Sequence, residues 1–206
     1  MMDNYTTILH EGSFEYEDRK SVFYGFASPV NNEEEALAFI AKIKKAYPDA
    51  RHHVYAYVLR ENSIMRFSDD REPQGTAGMP ALDAIRKNGC TDCVIVVIRY
   101  FGGVLLGTGG LVRAYSSSAN GALKAGQIVT YTQYCHYKIT VNYSDYQRVL
   151  PLCEEAIFKC DDTKFYDNVI ITGKIEKTRA CDFLRKLGEI TSARAKAEFL
   201  EEKLDY

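Results

Sequence analysis

Two runs near the N-terminus, residues 6–17 and 21–30, are rich in aromatic and β-branched side chains and are separated by the charged segment EDRK. This pattern predicts two strands joined by a turn. After two asparagines that can cap a helix, apolar residues recur at helical spacing over residues 37–47. The sequence therefore predicts an amphipathic helix that ends near Pro48.

Two further strands are predicted from HHVYAYVL and IMRFS, joined at Glu61, Asn62 and Ser63. The next segment, DDREPQGTAGMP, breaks all periodicity with two prolines and two glycines in twelve residues. Such a segment is typical of a structured functional loop. We expect a short helix to follow it over residues 80–87.

The segment CVIVVIRYF is apolar on both faces and predicts a strand in the centre of its sheet. It leads directly into the glycine-rich segment GGVLLGTGG. Residues 111–124 are compatible with a helix, and Gly126 is suited to end it.

From Thr130 the pattern starts again, and its order is strand, helix, two strands, helix and strand. The expected elements are strand 134–143, helix 144–159, strands 164–166 and 169–175, helix 178–187 and strand 193–200. Pro151 lies inside the first of these helices and is expected to kink or shorten it. The order βαββαβ predicts a ferredoxin-like domain over residues 129–206, after an N-terminal domain of residues 1–128, and the class of the whole chain is α+β.

Length and charge narrow the possible functions. The chain has 206 residues, which suits two compact domains, and its formal net charge is only −2. Because neither half of the chain is basic, the composition does not indicate binding to many phosphates of a nucleic acid through an extended basic surface. Any phosphate contact must be local. No apolar run is long enough to cross a bilayer, and the N-terminus lacks an apolar secretory signal. We therefore expect a cytoplasmic protein with reduced thiols.

The glycine-rich segment is the strongest candidate for binding chemistry. Glycines allow backbone amides to approach a ligand, a helix N-terminus is positive, and arginine pairs with phosphate through two hydrogen bonds. We therefore expect a phosphate-binding surface whose local positive charge comes from Arg99 and Arg113, the arginines that flank the glycines. Strict nucleotide-loop templates fail, since Thr108 stands where a lysine is needed, and the glycines can equally serve tight turns and packing. The residues assigned to this surface are Arg99, Tyr100, Gly102, Gly103, Gly107, Gly109, Gly110 and Arg113.

The acidic loop before it is the second candidate. Its carboxylates can hold a hard cation, act as acid and base, or brace the loop by accepting backbone hydrogen bonds. The adjacent His52 and His53 point to opposite faces of a strand, so at most one of them faces the site. The residues assigned to this loop are Asp69, Asp70, Glu72, Gly75, Thr76 and Gly78.

The pair Cys90 and Cys93 forms a single CxxC motif. A zinc site needs two further ligands at recognisable spacing, and a redox pair needs a helix start. We therefore interpret both as packing thiols, and the sequence indicates no metal and no cofactor.

The two loops together resemble a known family. SDDREPQGTAGMP followed by VVIRYFGGVLLGTGGLVRAYSSSA is similar to the paired motifs of the IMPACT or YigZ family, over roughly residues 15–125. Residues 137–196 resemble the second domain of its bacterial members. The family's first motif reads Asp-Asp-Gly-Glu-Pro, and here Arg71 replaces the glycine, which adds a cation beside the proposed anion site.

The resemblance implies an N-terminal fold shared with the second domain of a small-subunit ribosomal protein and with domain IV of elongation factor G. It implies a ferredoxin-like C-terminal domain similar to the last domain of that factor. Eukaryotic relatives act in translational control by competing for a protein partner of an initiation-factor kinase.

We therefore expect a regulatory binding protein, linked to translation, that docks on RNA or on a translation component through the two loops. One alternative is a metal-assisted hydrolase or phosphotransferase with Asp69, Asp70 and Glu72 as cation ligands. Another is a purely protein-binding module. A basic strip beside the glycines favours RNA, an exposed apolar patch favours a protein, and a carboxylate-bound ion favours the enzyme. No sequence feature specifies an oligomeric state.

Overall fold

The computed structural model describes residues 4–60 and 63–206. Glu61 and Asn62, where the sequence predicts a turn, lie outside the described residues. The strands are β1 (Tyr5–Ile8), β2 (Gly12–Asp18), β3 (Ser21–Pro29), β4 (His52–Leu59), β5 (Ile64–Ser68), β6 (Cys93–Tyr100), β7 (Ile128–Val141), β8 (Lys159–Phe165), β9 (Val169–Glu176) and β10 (Lys196–Asp205). The helices are α1 (Glu33–Ala46), α2 (Gly78–Lys87), α3 (Gly107–Ala125), α4 (Tyr143–Ala156) and α5 (Lys177–Thr191).

The chain divides into two compact units, one of residues Tyr5–Thr130 and one that contains Tyr131–Tyr206. Strand β7 begins in the first unit and continues into the second. The expected α+β class is confirmed, because each unit combines helices with an antiparallel sheet. Within the described residues, no helix has both the length and the apolar character that crossing a bilayer requires.

The sheet of the first unit has the strand order β2–β3–β6–β4–β5. Strand β6 is central, as its apolar character on both faces predicts, and its residues Cys93–Ile98 are fully buried. Helices α2 and α3 cover one face, where Val54, Ile95 and Val97 belong to their core. Helix α1 covers the other face over Val96 and Ile98. The glycine-rich segment therefore leaves the sheet from its central, buried strand.

The second unit has the strand order β8–β9–β7–β10, with all pairs antiparallel. This order and the sequence βαββαβ are those of a ferredoxin-like domain, so that prediction is confirmed. Its core side chains include Ile139, Ile171 and Phe183, which come from β7, β9 and α5.

Several predicted boundaries were wrong, for identifiable reasons. Residues 6–17 form two strands, because the chain turns between β1 and β2. Helix α3 starts at Gly107 instead of 111, so it incorporates three glycines that low helix propensity had excluded. Helix α4 continues through Pro151 because its apolar face is packed, and it ends at Ala156, where Ile157 adopts a left-handed conformation.

Candidate functional site

The pairing of β4 with β6 brings two polar side chains together at the centre of the candidate site. His52 on β4 lies opposite Arg99 on β6, and Phe23 on β3 lies opposite Arg99 on the other side. Arg99 is buried, and its guanidinium carbon is 5.4 Å from the centre of the Phe23 ring. A charged group is therefore built into the sheet one residue before β6 ends.

Glu72 supplies the counter-charge to Arg99. Arg99 Nη1 donates to Glu72 Oε1 at 2.7 Å, and the Tyr115 hydroxyl donates to the same oxygen at 2.8 Å. Burial, followed by the neighbouring Glu72 carboxylate, raises the pKa of Tyr115 well above its usual range, so its hydroxyl stays a donor. The loop before α2, the strand β6 and the helix α3 therefore meet at one carboxylate.

Asp69 organises the loop before α2. Its Oδ2 accepts the backbone N–H of Gly75 at 2.9 Å, and its Oδ1 accepts those of Ala77 and Gly78 at 3.1 and 2.7 Å. These amides lie where the helix begins, and Ala77 has no side chain that can cap them. Asp69 therefore caps α2 from outside the helix.

The rest of the acidic loop is also held internally. Asp70 Oδ2 accepts the backbone N–H of His53 at 2.6 Å, and Thr76 Oγ1 donates to the Pro73 carbonyl at 2.6 Å. A Cβ on Gly78 would lie 2.7 Å from the backbone of Ser68, so this position requires glycine. The loop thus packs directly against the end of β5.

The carboxylates of Asp69, Asp70 and Glu72 are each engaged by different groups of the protein. Among residues 4–60 and 63–206, no group of three His, Cys, Asp or Glu residues is placed to hold a metal ion. The arrangement favours bracing of the loop over the cation-binding alternative.

The two adjacent histidines face opposite sides of the sheet. His52 Nδ1 lies 2.8 Å from the carbonyl oxygen of Asp70, so this nitrogen carries a proton, and His52 Nε2 lies 3.7 Å from Glu72 Oε1. His53 Nε2 lies 2.8 Å from the carbonyl oxygen of Tyr47. Only His52 therefore belongs to the candidate site.

Arg71 adopts a left-handed backbone conformation, with φ of 69°. Glycine adopts this conformation without a steric cost, whereas a residue with a Cβ is strained there. The Arg71 side chain is 80% exposed, and its Nε lies 4.0 Å from Asp70 Oδ1. Its charge is therefore largely available to a ligand.

A cleft of about 280 Å³ lies above these groups. Its charged lining residues are three arginines and one glutamate. The charge of Arg99 is balanced by Glu72, so the other two arginines give the lining its positive charge. Arg51 makes no hydrogen bond or ion pair within the described residues, so it and Arg71 leave a net positive charge at the cleft. The lining residues are Arg51, His52, Arg71, Glu72, Arg99, Phe101 and Leu105.

The glycine-rich segment forms one side of this cleft. A Cβ on Gly102 would lie 2.1 Å from the Lys20 carbonyl oxygen, so glycine is required for the close approach of the β2–β3 turn. Gly103 has φ of 84°, and nothing lies within 4 Å of an added Cβ there. Gly107, Gly109 and Gly110 form the first turn of α3.

Exposed apolar side chains line the same segment. Phe101 is 43% exposed, Val104 is 45% exposed and Leu105 is 80% exposed. The Leu105 carbonyl accepts a hydrogen bond from Arg19 Nη1 at 3.4 Å. Exposed apolar side chains therefore lie in the segment that borders the cleft with Arg51 and Arg71.

The structure brings only part of the sequence-predicted set to the cleft. Glu72 and Arg99 line it, but Arg99 is buried in its ion pair. Arg113 does not line it and donates to Asp18 Oδ2 at 2.9 Å. The Tyr100 hydroxyl donates to Asp49 at 3.0 Å, and alternation along β6 turns it to the opposite face from Arg99. Asp69, Asp70, Gly75, Thr76 and Gly78 shape the loop behind the cleft.

Four residues that line the cleft or contact Glu72 were not predicted from the sequence. Arg51 precedes a strand and belongs to no motif. Its position next to His52 was the only signal that could have identified it. Phe101 and Leu105 lie inside the glycine-rich motif, but apolar residues there gave no binding signal. Tyr115 lies four residues after Leu111 in α3, a spacing that marks it only as buried.

The cysteines of the CxxC motif are both buried. Burial raises the pKa of Cys90 to about 11 and raises that of Cys93 well above its usual range. Both therefore remain protonated thiols at neutral pH, and neither lines the cleft.

Comparisons with known proteins match both parts of the chain. Residues 19–123 match the Impact N-terminal domain, and residues 139–194 match a domain of unknown function, DUF1949. An IMPACT family member of Haemophilus influenzae is 38% identical, over 91% of this chain and 93% of the relative. The IMPACT family member YvyE of Bacillus subtilis is 34% identical, over 100% of this chain and 94% of the relative.

Other relatives extend the match. The IMPACT family member YigZ of Escherichia coli is 32% identical, over 90% of this chain and 93% of the relative. A solved structure, described as the crystal structure of an hypothetical protein, is 29% identical and aligns with a TM-score of 0.60. That alignment covers 98% of this chain and 99% of the solved one. Since a family domain matches half of the chain and full-length relatives exceed 30% identity, the chain belongs to the IMPACT family.

Proposed function

We propose that this protein is a cytoplasmic regulatory binding protein, linked to translation, that docks on RNA through the cleft beside its glycine-rich loop. The observation that carries this proposal is the positive lining of the cleft. Arg51 has no ion-pair partner among the described residues, and the Arg71 side chain is 80% exposed, with its Nε 4.0 Å from Asp70 Oδ1. Family membership supports the link to translation, because the resemblance implies translational control for eukaryotic members.

Arginine suits this role because its planar guanidinium can give a phosphate two parallel hydrogen bonds. With a net charge of −2, the protein has no extended basic field that would hold RNA at many points. Binding is therefore local, with few phosphate contacts and a modest dependence on salt.

A protein partner is the second candidate, and the exposed side chains of Phe101, Val104 and Leu105 favour it. Large apolar side chains at a rim of polar groups are typical of protein interfaces. Under this alternative, the arginines would serve specificity for an acidic partner and the apolar residues would supply the affinity.

Ultraviolet cross-linking in cell extract, followed by sequencing of the bound RNA, tests the two candidates. The Arg51→Ala/Arg71→Ala variant should lose cross-linked RNA, whereas Val104→Ser/Leu105→Ser should retain most of it. Loss of RNA only in the second variant, or no RNA above background with the wild type, would contradict RNA docking through the cleft. Both variants change exposed side chains, so their melting temperatures provide the folding control.

A further inference from the structure

We infer that the cleft takes one unpaired nucleotide of single-stranded RNA, with its base stacked on Phe101 and its phosphate held by Arg51 and Arg71. This inference rests on the proposed function and adds the form of RNA that is bound. It also assigns Phe101 as the stacking residue.

The Phe101 ring is supported from inside the protein. The guanidinium carbon of Arg99 lies 5.5 Å from the ring centre, which is the geometry of a cation–π contact. Arg99 is itself fixed by the ion pair with Glu72 and by the Phe23 ring on its other side. The 43% of Phe101 that stays exposed is therefore a preorganised surface.

The chemistry around that ring suits a nucleotide better than a peptide side chain. An exposed aromatic ring offers stacking to any base, and Arg51 and Arg71 offer donors to an adjacent phosphate.

The size of the cleft sets the number of bases. Its volume of about 280 Å³ is at the lower limit of pockets that hold small ligands, which are roughly 300–1,000 Å³. It therefore admits one base and not several. A base inside a duplex is stacked on its neighbours and cannot lie on Phe101, so the RNA must be single-stranded or locally unpaired.

The test is fluorescence anisotropy with a labelled short oligouridine and a duplex of the same length. Phe101→Leu removes the ring but keeps an apolar side chain, and it should weaken single-strand binding by roughly 5- to 150-fold. Phe101→Tyr keeps an aromatic ring and should therefore bind the single strand with an affinity close to that of the wild type. The matched control is Phe67→Leu, because Phe67 is similarly exposed, at 41%, but lies on β5 and does not line the cleft.

The outcomes separate this inference from the proposed function. If Arg51→Ala/Arg71→Ala weakens binding but Phe101→Leu binds like the wild type, base stacking is wrong while RNA docking stands. Equal affinity for the duplex would also overturn the inference. If the wild type binds neither RNA, the proposed function fails as well.

Competition by uridine monophosphate distinguishes the source of the nucleotide. Weak competition, far below the affinity of the oligomer, is expected for a site that reads one unit of a longer strand. Tighter binding of the free nucleotide than of the oligomer would assign the cleft to mononucleotides and overturn the RNA assignment. Displacement of RNA by an acidic peptide, without any effect of Phe101→Leu, would assign it to a protein partner.

Discussion

Arg99 Nη1 and Glu72 Oε1 are 2.7 Å apart, and both side chains are more than nine-tenths buried. A buried charge is tolerated only when it is paired and hydrogen-bonded. This pair joins the acidic loop to the central strand and supports the ring of Phe101. We therefore interpret this pair as a structural element of the candidate site.

Replacing Glu72 by alanine should lower the free energy of unfolding by about 3–5 kcal/mol, because Arg99 would be left buried without a counter-charge. Urea denaturation measures this loss. The pair of Arg113 with Asp18, in which the Arg113 side chain is 66% exposed, is the matched control, and Asp18→Ala should lower the free energy of unfolding much less than Glu72→Ala. Equal losses in the two variants would contradict the special role of the buried pair.

Replacing Arg71 by glycine should stabilise the protein by about 0.5–1 kcal/mol, because φ of 69° strains any residue with a Cβ. Arg71→Ala keeps the strain and removes the same charge. RNA affinity should therefore fall equally in both variants, while the melting temperature rises only in Arg71→Gly. A melting temperature that falls in Arg71→Gly would show that the arginine side chain, and not glycine, suits this turn.

Asp69→Ala should lower the free energy of unfolding by about 1–3 kcal/mol, because three backbone N–H groups lose their acceptor. Hydrogen exchange should accelerate at the start of α2. The exposed Asp167 is the control, and its replacement by alanine should change stability by less than about 0.5 kcal/mol. Unchanged exchange at Ala77 and Gly78 would contradict the cap.

Thiol alkylation at neutral pH should modify the exposed Cys160 and Cys181 before the buried Cys90 and Cys93. The folded state raises the pKa of Cys90 from 9.0 to about 11, so its contribution to stability is complete below pH 9. That contribution is lost as the pH rises toward 11, because the unfolded thiol ionises first. Urea midpoints measured across this range should therefore decrease.

The Cys90→Ala/Cys93→Ala variant should bind RNA like the wild type, since neither cysteine lines the cleft. Stoichiometric zinc in the wild type that is lost in this variant would contradict the assignment of both as packing thiols.

Hydrophobic periodicity was sufficient to predict the central strand β6 and the order βαββαβ of the second unit, because both depend on local pattern. The start of α3 could not be predicted, since three glycines oppose a helix locally and packing overrides them.

The sequence indicated which two loops form the candidate site, but not which of their charged side chains pair with each other. The sequence placed Arg99 beside glycines, which suggested a phosphate ligand, but the partner that neutralises Arg99 lies 27 residues earlier in the chain. Arg51 became part of the site only through the pairing of β4 with β6. Long-range contacts of this kind leave no local pattern.

The salt dependence of RNA affinity tests the central claim most directly. Each lost phosphate contact to a single strand should reduce the slope of log affinity against log salt by about 0.7. Arg51→Ala and Arg71→Ala should each show this reduction with an unchanged melting temperature, whereas Arg113→Ala should keep the wild-type slope. If the slope is unchanged in both cleft variants, or falls only in Arg113→Ala, the cleft is not the phosphate-binding surface.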